Sequence, residues 1–269
     1  MTIQFQKYQG TGNDFVLIDN RNGKLIPENF TQKQIAFLCH RRFGIGADGL
    51  MLVESSQRFD FEMKYYNSDG NLGSMCGNGG RCIVAFAKKI GAFVENKTHF
   101  LASDGEHEAQ IYENENQIYV KLKMQNVSEI IQQEEFTFLN TGSPHHIEFV
   151  ENTEKIDVFA KGRQIRYNSK LYPNGTNVNF VQITGNQIKV RTYERGVEDE
   201  TYSCGTGVVA SSIATYAKNN QLKNQFEVST KGGDLKVSFS HKSADEFENI
   251  WLEGAATFVF EGTISIEEQ

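Results

Sequence analysis

The chain has 269 residues, of which 39% are apolar and 23% charged, with only 3 prolines. This composition is that of an ordinary folded protein and excludes the collagen-like, low-complexity and disordered classes. A formal charge of −7 and a sequence pI near 5.5 leave no basic surface for a phosphate backbone, so nucleic acid is not an expected partner.

Signals for export or membrane insertion are missing from the sequence. Residues 1–7 alternate apolar and polar positions like a strand, without the basic start and apolar core of a signal peptide. No apolar run approaches membrane-spanning length. Four cysteines without an export signal suit a reducing compartment, so we expect a cytoplasmic protein that does not bind membranes. Cys76 and Cys82 lie six positions apart with no Cys-x-x-Cys or paired-histidine motif, so no metal is expected.

The first half of the chain alternates strands with glycine-rich loops. Thr31 is the candidate N-cap of an early helix, and Cys76 precedes a second, apolar helix that should end near Ile90 with Gly91 as its stop. Period-two patterns predict the strands around these helices at Ile3–Tyr8, Phe15–Asp19, Leu50–Val53 and Phe61–Tyr66.

The second half repeats this order. Cys204 is followed by a small-residue turn and an apolar helical run, as Cys76 is, 204 − 76 = 128 residues later. The strand Ile188–Tyr193 repeats the pattern of Phe61–Tyr66, and the loop at Thr141 that precedes the strand His146–Val150 repeats the loop at Thr11. Similar hairpin turns follow both helices, at residues 102–106 and 230–234. The matches are more persuasive together than singly, and a duplication within the chain explains all of them.

The repeat predicts an α/β (α+β) fold of two pseudo-symmetric domains. In each domain a curved, mostly antiparallel sheet would wrap around a central helix that carries few charges and is therefore buried. We place the domains at 1–122 and 123–256, with the 257–269 strand returning to the first. Both cysteine-bearing helix starts would then face one interdomain cleft.

Two of the four cysteines are candidates for chemistry. Cys76 and Cys204 each stand where free backbone N–H groups and the positive end of a helix dipole attract an anion and lower the pKa of a thiol. Cys39 and Cys82 lie in helical patterns and are interpreted as core residues. The glycine turns could instead bind phosphate, but neither has the lysine and hydroxyl of a P-loop, so a carboxylate ligand fits better.

Six motifs together resemble those of the diaminopimelate epimerase family, in the right order and over essentially the whole chain. They are Gly10-Thr11-Gly12-Asn13-Asp14-Phe15, Gly44-Ile45-Gly46-Ala47-Asp48-Gly49, Asn67-Ser68-Asp69-Gly70, Met75-Cys76-Gly77-Asn78-Gly79-Gly80-Arg81-Cys82, Tyr193-Glu194-Arg195-Gly196 and Ser203-Cys204-Gly205-Thr206-Gly207. The resemblance implies interconversion of LL- and meso-diaminopimelate without a cofactor, in lysine and peptidoglycan precursor synthesis. It also implies a homodimer.

The resemblance assigns roles residue by residue. Cys76 and Cys204 match the two catalytic cysteines, one thiolate removing the α-proton and the opposite thiol replacing it. His145 matches a histidine that tunes the thiols together with Glu194. The positions matching the family's substrate-binding residues are Asn13, Asn67, Gly77, Asn78, Asn177, Glu194, Arg195, Gly205 and Thr206.

The sequence departs from the family pattern at three places, and two alternative functions are compatible with it. Ser143 stands where the family commonly has asparagine, Gly49 stands where some members have glutamine, and the 197–201 loop is one residue longer than a common family form. A related racemase for proline or hydroxyproline would need a small apolar pocket, which the polar set around Asn67 and Arg195 disfavours. From a different class, the thiol pair could be a redox switch in a binding protein.

Overall fold

The computed structural model describes residues 1–26, 28–73, 75–243 and 245–266. The chain divides into two compact domains. One comprises Met1–Leu122 and the C-terminal stretch that begins at Ala255, and the other comprises Lys123–Gly254. Within the described residues, no helix is both long and apolar enough to cross a membrane.

The first domain contains eight strands and two helices among its described residues. In chain order they are β1 (Thr2–Gly10), β2 (Asn13–Asp19), α1 (Gln32–Cys39), β3 (Gly49–Glu54), β4 (Phe61–Asn67), α2 (Gly77–Lys89), β5 (Lys97–Ala102), β6 (Gly105–Asn114), β7 (Gln117–Lys123) and finally β17 (Thr257–Ser265). Thr31 caps α1 in a reciprocal capping box with Gln34, which satisfies two N–H groups at the helix start.

The first sheet is mostly antiparallel and becomes parallel only where a helix crosses. β2 pairs parallel with β3 after the α1 crossover, and β4 pairs parallel with β5 after the α2 crossover. The other pairs are antiparallel, including β17 with β1 from Thr2–Ser265 to Gln9–Thr257. Parallel neighbours need such a crossover because a short turn cannot bring the chain back to the same end of the sheet.

α2 is the buried helix of the first domain. Every residue from Gly77 to Ala87 is buried, so the helix has no solvent-facing side until Lys88 and Lys89 in its last turn. α1 covers another part of the sheet with Ile35 and Leu38, in a core shared with Phe5.

The second domain contains nine strands and two helices among its described residues. They are β8 (Ile130–Gln132), β9 (Thr137–Asn140), β10 (Pro144–Phe149), α3 (Val158–Arg166), β11 (Asn177–Thr184), β12 (Gln187–Glu194), β13 (Asp199–Thr201), α4 (Gly205–Lys218), β14 (Gln225–Thr230), β15 (Gly233–Ser243) and β16 (Glu246–Ala255). A single 3-10 turn at Thr153–Lys155 precedes α3.

The second domain has the connectivity of the first. β10 pairs parallel with β11 across α3, and β12 pairs parallel with β14 across α4. The buried face of α4, with Val208, Val209 and Ile213, packs into the main core of this domain. The predicted fold of two similar domains, each with a buried helix against a mostly antiparallel sheet, is thereby confirmed at the level of each domain. The last three residues of the predicted 257–269 strand lie outside the described residues.

Candidate active site

Cys76 is the N-cap residue of α2. Its backbone is extended, with φ −110° and ψ 132°, and its carbonyl accepts the first helical hydrogen bond from Gly80 N at 2.7 Å. The half-buried thiol therefore stands at the end of the helix where the first backbone N–H groups point away from the helix and the dipole is positive. Its Sγ donates to Asn13 Oδ1 at 3.6 Å.

Asn13 is itself oriented by a cluster of ionic groups. Its Nδ2 donates to Asp48 Oδ2 at 2.5 Å, which turns Oδ1 toward the Cys76 sulfur. Arg41 holds both Asp48 and Asp14, at 2.6 and 2.7 Å. Burial alone would raise the pKa of Asp14, but hydrogen bonds from Arg41 and Lys7 lower it far below its usual range. The Asp14 carboxylate thus stays ionised.

Arg81 is a fully buried cation in the first turns of α2, and sequence reasoning did not single it out. Its guanidinium donates to the Thr11 hydroxyl at 3.1 Å, to Gly77 O at 3.3 Å and to Ala255 O at 3.4 Å. All three acceptors are neutral. Burial lowers the pKa of Arg81, and negative charge on Cys82 or Cys76 would raise it. A thiolate at Cys76 would therefore be stabilised by this cation.

The other two cysteines of the chain lie in the core of the first domain. Cys39 is 2% exposed and Cys82 is fully buried. Burial is the main cause that raises the pKa of each thiol to about 12, so both are neutral at physiological pH. Neither side chain is suited to take a proton from a substrate.

Thr11, in the loop after β1, anchors the helix start beside Cys76. Asn78 is buried, and its Oδ1 accepts a hydrogen bond from the Thr11 hydroxyl at 3.3 Å. Gly77 is buried at the first position of α2. Asn67 lies exposed at the end of β4, where its backbone closes a turn with Gly70 and Asn71.

Cys204 stands at the N-cap of α4 in the same way. Its backbone is extended, with φ −118° and ψ 111°, and its carbonyl accepts from Val208 N at 2.9 Å. Its Sγ lies 3.5 Å from the Thr206 hydroxyl oxygen. Thr141 secures this helix start by donating from its hydroxyl to Thr206 O at 2.9 Å, so in each domain a Thr-Gly loop fastens the residue two positions after the cysteine.

His145 connects this helix start to the sheet. It is fully buried on β10, and its Nε2 lies 2.9 Å from the Thr206 hydroxyl oxygen. Burial, with a smaller effect from the positive charge of Arg195, lowers the pKa of His145 to about 3. The imidazole is therefore neutral at physiological pH. Its Nδ1 lies 3.1 Å from Asn179 Nδ2, a second contact that sequence reasoning did not anticipate.

Asn177 joins two loops of the second domain. Its Nδ2 donates to Ser143 Oγ at 2.8 Å and to Pro144 O at 3.0 Å, while its Oδ1 accepts from Arg195 N at 2.9 Å. Ser143, the departure from the family pattern, thus supports Asn177. The Arg195 guanidinium donates to Asn174 O at 3.2 Å, and Glu194 ends β12 immediately before it.

The structure therefore groups the predicted residues within each domain. In the first, Asn13, Gly77 and Asn78 adjoin Cys76, whereas Asn67 closes its own turn. In the second, His145, Gly205 and Thr206 adjoin Cys204, and Asn177 adjoins Arg195. The two residues that sequence reasoning missed carried a signal. Arg81 is a cation in the otherwise uncharged stretch Gly77–Ala87 of its helix, and Asn179 is a lone amide in the apolar run Val178–Val181.

Comparison with known proteins agrees with the motif resemblance. The family model described as diaminopimelate epimerase matches residues 5–130 and 137–259. Among curated relatives, a diaminopimelate epimerase of Flavobacterium psychrophilum is 52% identical over 97% of this chain and 100% of its own length. One from Chlorobaculum tepidum is 42% identical over 96% of this chain and 99% of its own length.

Solved structures of low sequence identity share the fold. A Bacillus anthracis protein of the phenazine biosynthesis PhzF family has a TM-score of 0.76 at 17% identity, covering 99% of this chain and 100% of that one. A hydroxyproline epimerase from Agrobacterium vitis has a TM-score of 0.69 at 13% identity, covering 98% and 91%. With the family model and the relatives matching over nearly its full length, the chain belongs to the diaminopimelate epimerase family.

Proposed function

We propose that this chain is an isomerase that interconverts LL- and meso-diaminopimelate with Cys76 and Cys204 as its acid and base, and without a cofactor. The observation that carries the proposal is the matched placement of these two thiols, each at the N-cap of a buried helix with an extended cap backbone. Inverting a carbon that bears hydrogen requires loss of the proton from one face and its return from the other. One thiolate takes the proton and the other thiol supplies one, with their roles exchanged in the reverse direction.

The proton to be removed is weakly acidic, so charge that develops on the substrate carboxylate must be stabilised. Backbone N–H groups at a helix start can do this together with the helix dipole. Gly77 and Asn78 in the first domain, and Gly205 and Thr206 in the second, are the residues we propose to hold that carboxylate. Glycine and short side chains at these positions leave the N–H groups accessible.

The far end of the substrate is a second amino-acid head group, for which polar side chains are needed. We propose that Asn13, Asn67, Asn177, Glu194 and Arg195 supply them. Arg195 is the natural partner for the distal carboxylate because guanidinium and carboxylate form charge-assisted hydrogen bonds. Its backbone N–H donates to Asn177 Oδ1, which holds the Arg195 backbone beside that side chain.

The experiment follows the α-proton of LL-diaminopimelate by proton NMR in deuterium oxide. The chain should incorporate deuterium at the α-carbon as it forms the meso isomer. Cys76→Ala and Cys204→Ala should each lose inversion, and any residual solvent exchange should favour opposite configurations in the two variants, because each retains the base for one face only. Cys39→Ala and Cys82→Ala are the matched controls and should keep most of the activity.

Either catalytic variant epimerising as fast as the controls would contradict the two-base proposal. Proline and trans-4-hydroxyproline tested in the same assay address the runner-up activity, and we expect no exchange with either. Absence of α-deuterium from every substrate would instead favour a thiol switch. We further propose that the protein acts in the cytoplasm as a homodimer, within lysine and peptidoglycan precursor synthesis.

A further inference from the structure

We propose that Asn179 is a positioning residue that holds His145 in its Nε2–H tautomer, so that the Thr206 hydroxyl donates its proton to the Cys204 sulfur. The hydrogen bonds involved run from Asn179 on β11 through His145 on β10 to Thr206 at the start of α4. The inference rests on the proposed catalytic role of Cys204. Its central observation is that the two ends of the Asn179 amide are assigned by their neighbours.

The orientation of the Asn179 amide follows from a backbone carbonyl. One Asn179 amide group lies 3.2 Å from His146 O, and a carbonyl only accepts, so this group must be the NH₂. The opposite end, Oδ1, accepts from the Thr192 hydroxyl at 2.9 Å. Gly207 permits this packing, because a Cβ there would lie 2.4 Å from Asn179 Oδ1.

The tautomer of His145 follows from that orientation. The second hydrogen of Asn179 Nδ2 points to His145 Nδ1 at 3.1 Å, so Nδ1 must accept. A neutral imidazole has one donor and one acceptor nitrogen, which places the ring proton on Nε2. Nε2–H then donates to Thr206 Oγ1 at 2.9 Å.

The hydroxyl of Thr206 is left with its own proton to donate. Its oxygen accepts from His145, so the proton can turn to Cys204 Sγ at 3.5 Å and stabilise the thiolate. In the other tautomer, Nε2 would accept from Thr206, and the thiolate would lose this donor. Arg195 is a charged group whose positive charge acts on His145, and Glu194 precedes it at the end of β12.

Two NMR readouts test the proposal without requiring turnover, so its failure is distinguishable from failure of the proposed function. Long-range proton–nitrogen spectra should show His145 neutral and protonated at Nε2 at pH 7. An Nδ1–H tautomer or a charged imidazole there would overturn the proposal. In cysteine labelled with ¹³C at Cβ, the pH midpoint of the Cys204 resonance reports ionisation of its thiol.

Asn179→Asp replaces the amide that donates to Nδ1 by a group that only accepts, and should raise this midpoint by about one pH unit. Thr206→Val removes the hydroxyl and should raise it similarly. The double variant should match Thr206→Val alone, because Asn179 acts through Thr206. Full additivity would show a direct charge effect of the new carboxylate and overturn the proposal.

The matched control is Asn186→Asp in the same domain. Asn186 also donates two N–H bonds to backbone carbonyls, those of Lys223 and Gln225, so this variant reproduces the loss of two donors outside the network. It should leave the Cys204 midpoint unchanged. Epimerisation should fall about tenfold in kcat/KM for Asn179→Asp and remain unchanged for the control. An unshifted midpoint in Asn179→Asp would overturn the proposal whatever the activity.

Discussion

At the scale of single residues, the Tyr65 ring leaves no room for a side chain at Gly49. A Cβ at Gly49 would lie 2.5 Å from Tyr65 Cε2 and 2.7 Å from Tyr66 O. A Cβ at Gly73 would lie 2.5 Å from the same ring, so Tyr65 fills the space above both glycines. A side chain at position 49 would therefore collide with both the Tyr65 ring and the backbone of Tyr66.

This packing predicts an energetic coupling between the two positions. Gly49→Ala should lower the free energy of unfolding by about 1–3 kcal/mol, because the new methyl group overlaps the Tyr65 ring. The cost should be smaller by about 1 kcal/mol in a Tyr65→Ala background, where the ring is absent and the contact with Tyr66 O remains. Urea unfolding of the four proteins in this cycle measures the coupling, and equal costs in both backgrounds would show that the ring is not the obstacle.

The residues that sequence reasoning identified are those with a local signature. A cysteine before a glycine turn and an apolar helix indicates an N-cap thiol from neighbouring letters alone, and the family motifs added Asn13 and His145. The roles of Arg81 and Asn179 could be recognised only from the three-dimensional structure. The first is defined by acceptors at positions 11, 77 and 255, and the second by His145 and Thr192 on adjacent strands, which no local pattern brings together.

At the scale of elements, β10 carries two buried histidines in succession. Burial lowers the pKa of His145 to about 3 and that of His146 to about 4, from an ordinary value of 6.5. The positive charge of Lys161 contributes for His146. His146 Nδ1 lies 2.7 Å from the Tyr172 hydroxyl oxygen, and its ring stacks on Phe136. Both imidazoles are thus held neutral in the folded strand.

These histidines predict a loss of stability in mild acid. Below pH 6.5 these two histidines bind protons in the unfolded chain, whereas in the folded chain they stay neutral down to about pH 3 to 4. The free energy of unfolding therefore falls as pH falls. Each histidine contributes a slope of up to about 1.4 kcal/mol per pH unit. Urea unfolding between pH 7 and pH 5 should give a shallower slope for His146→Gln than for the natural chain. Identical slopes would mean that His146 does not titrate with unfolding.

Most helices and strands were predictable because their hydrophobic period or their capping residue can be recognised from neighbouring residues in the sequence. Thr31 caps α1 as expected, and the strands at 3–8, 15–19, 50–53 and 61–66 lie within β1 to β4. α3 was not predicted. Its sequence, Val158–Arg166, includes glycine and three basic residues with few apolar positions, and its start depends on Asp157 accepting from Ala160 N. Packing against β11 and β12 stabilises α3 in the fold. Because its apolar stripe is weak, the helix is hard to recognise from the sequence alone.

At the scale of the whole molecule, the first domain depends on the last strand of the chain. β17 pairs along nearly all of β1, and its aromatic residues Phe258 and Phe260 pack edge-on against Tyr8 and Phe5. β8 holds the corresponding place beside β9 in the second domain, but it is adjacent in sequence. One domain is therefore continuous in the chain and the other is not.

Removal of residues 257–269 should therefore destabilise the first domain selectively. Trp251 is the single tryptophan of the chain and lies in β16, so its fluorescence reports the second domain. In the truncated protein, circular dichroism should show an early loss of strand signal while the tryptophan transition moves little. Phe260→Ala, which removes one ring contact and keeps the strand, should have a smaller effect. A single transition with the natural midpoint in the truncated chain would show that β17 is dispensable.

The two-domain fold itself was predicted because duplication leaves the same marks twice, and the family motifs cover both copies. What the sequence did not reveal is where the sheets become parallel. That depends on which strands the helices connect, and α3 gave no clear signal. With α1 and α3 in place, each domain has two helix crossovers and two parallel pairs, β2–β3 and β4–β5 in one and β10–β11 and β12–β14 in the other.

The discontinuous first domain also sets an order of assembly during synthesis. Translation delivers β1 before the whole continuous domain and its partner β17 after it. The nascent chain can complete the later-encoded domain while β1 still has one open edge, an arrangement in which unpaired strands invite aggregation. The hydrogen bond from Arg81 to Ala255 O is delayed in the same way, since Ala255 is synthesised only after that domain. The helix start beside Cys76 thus acquires its final hydrogen bonds only after the second domain has been synthesised.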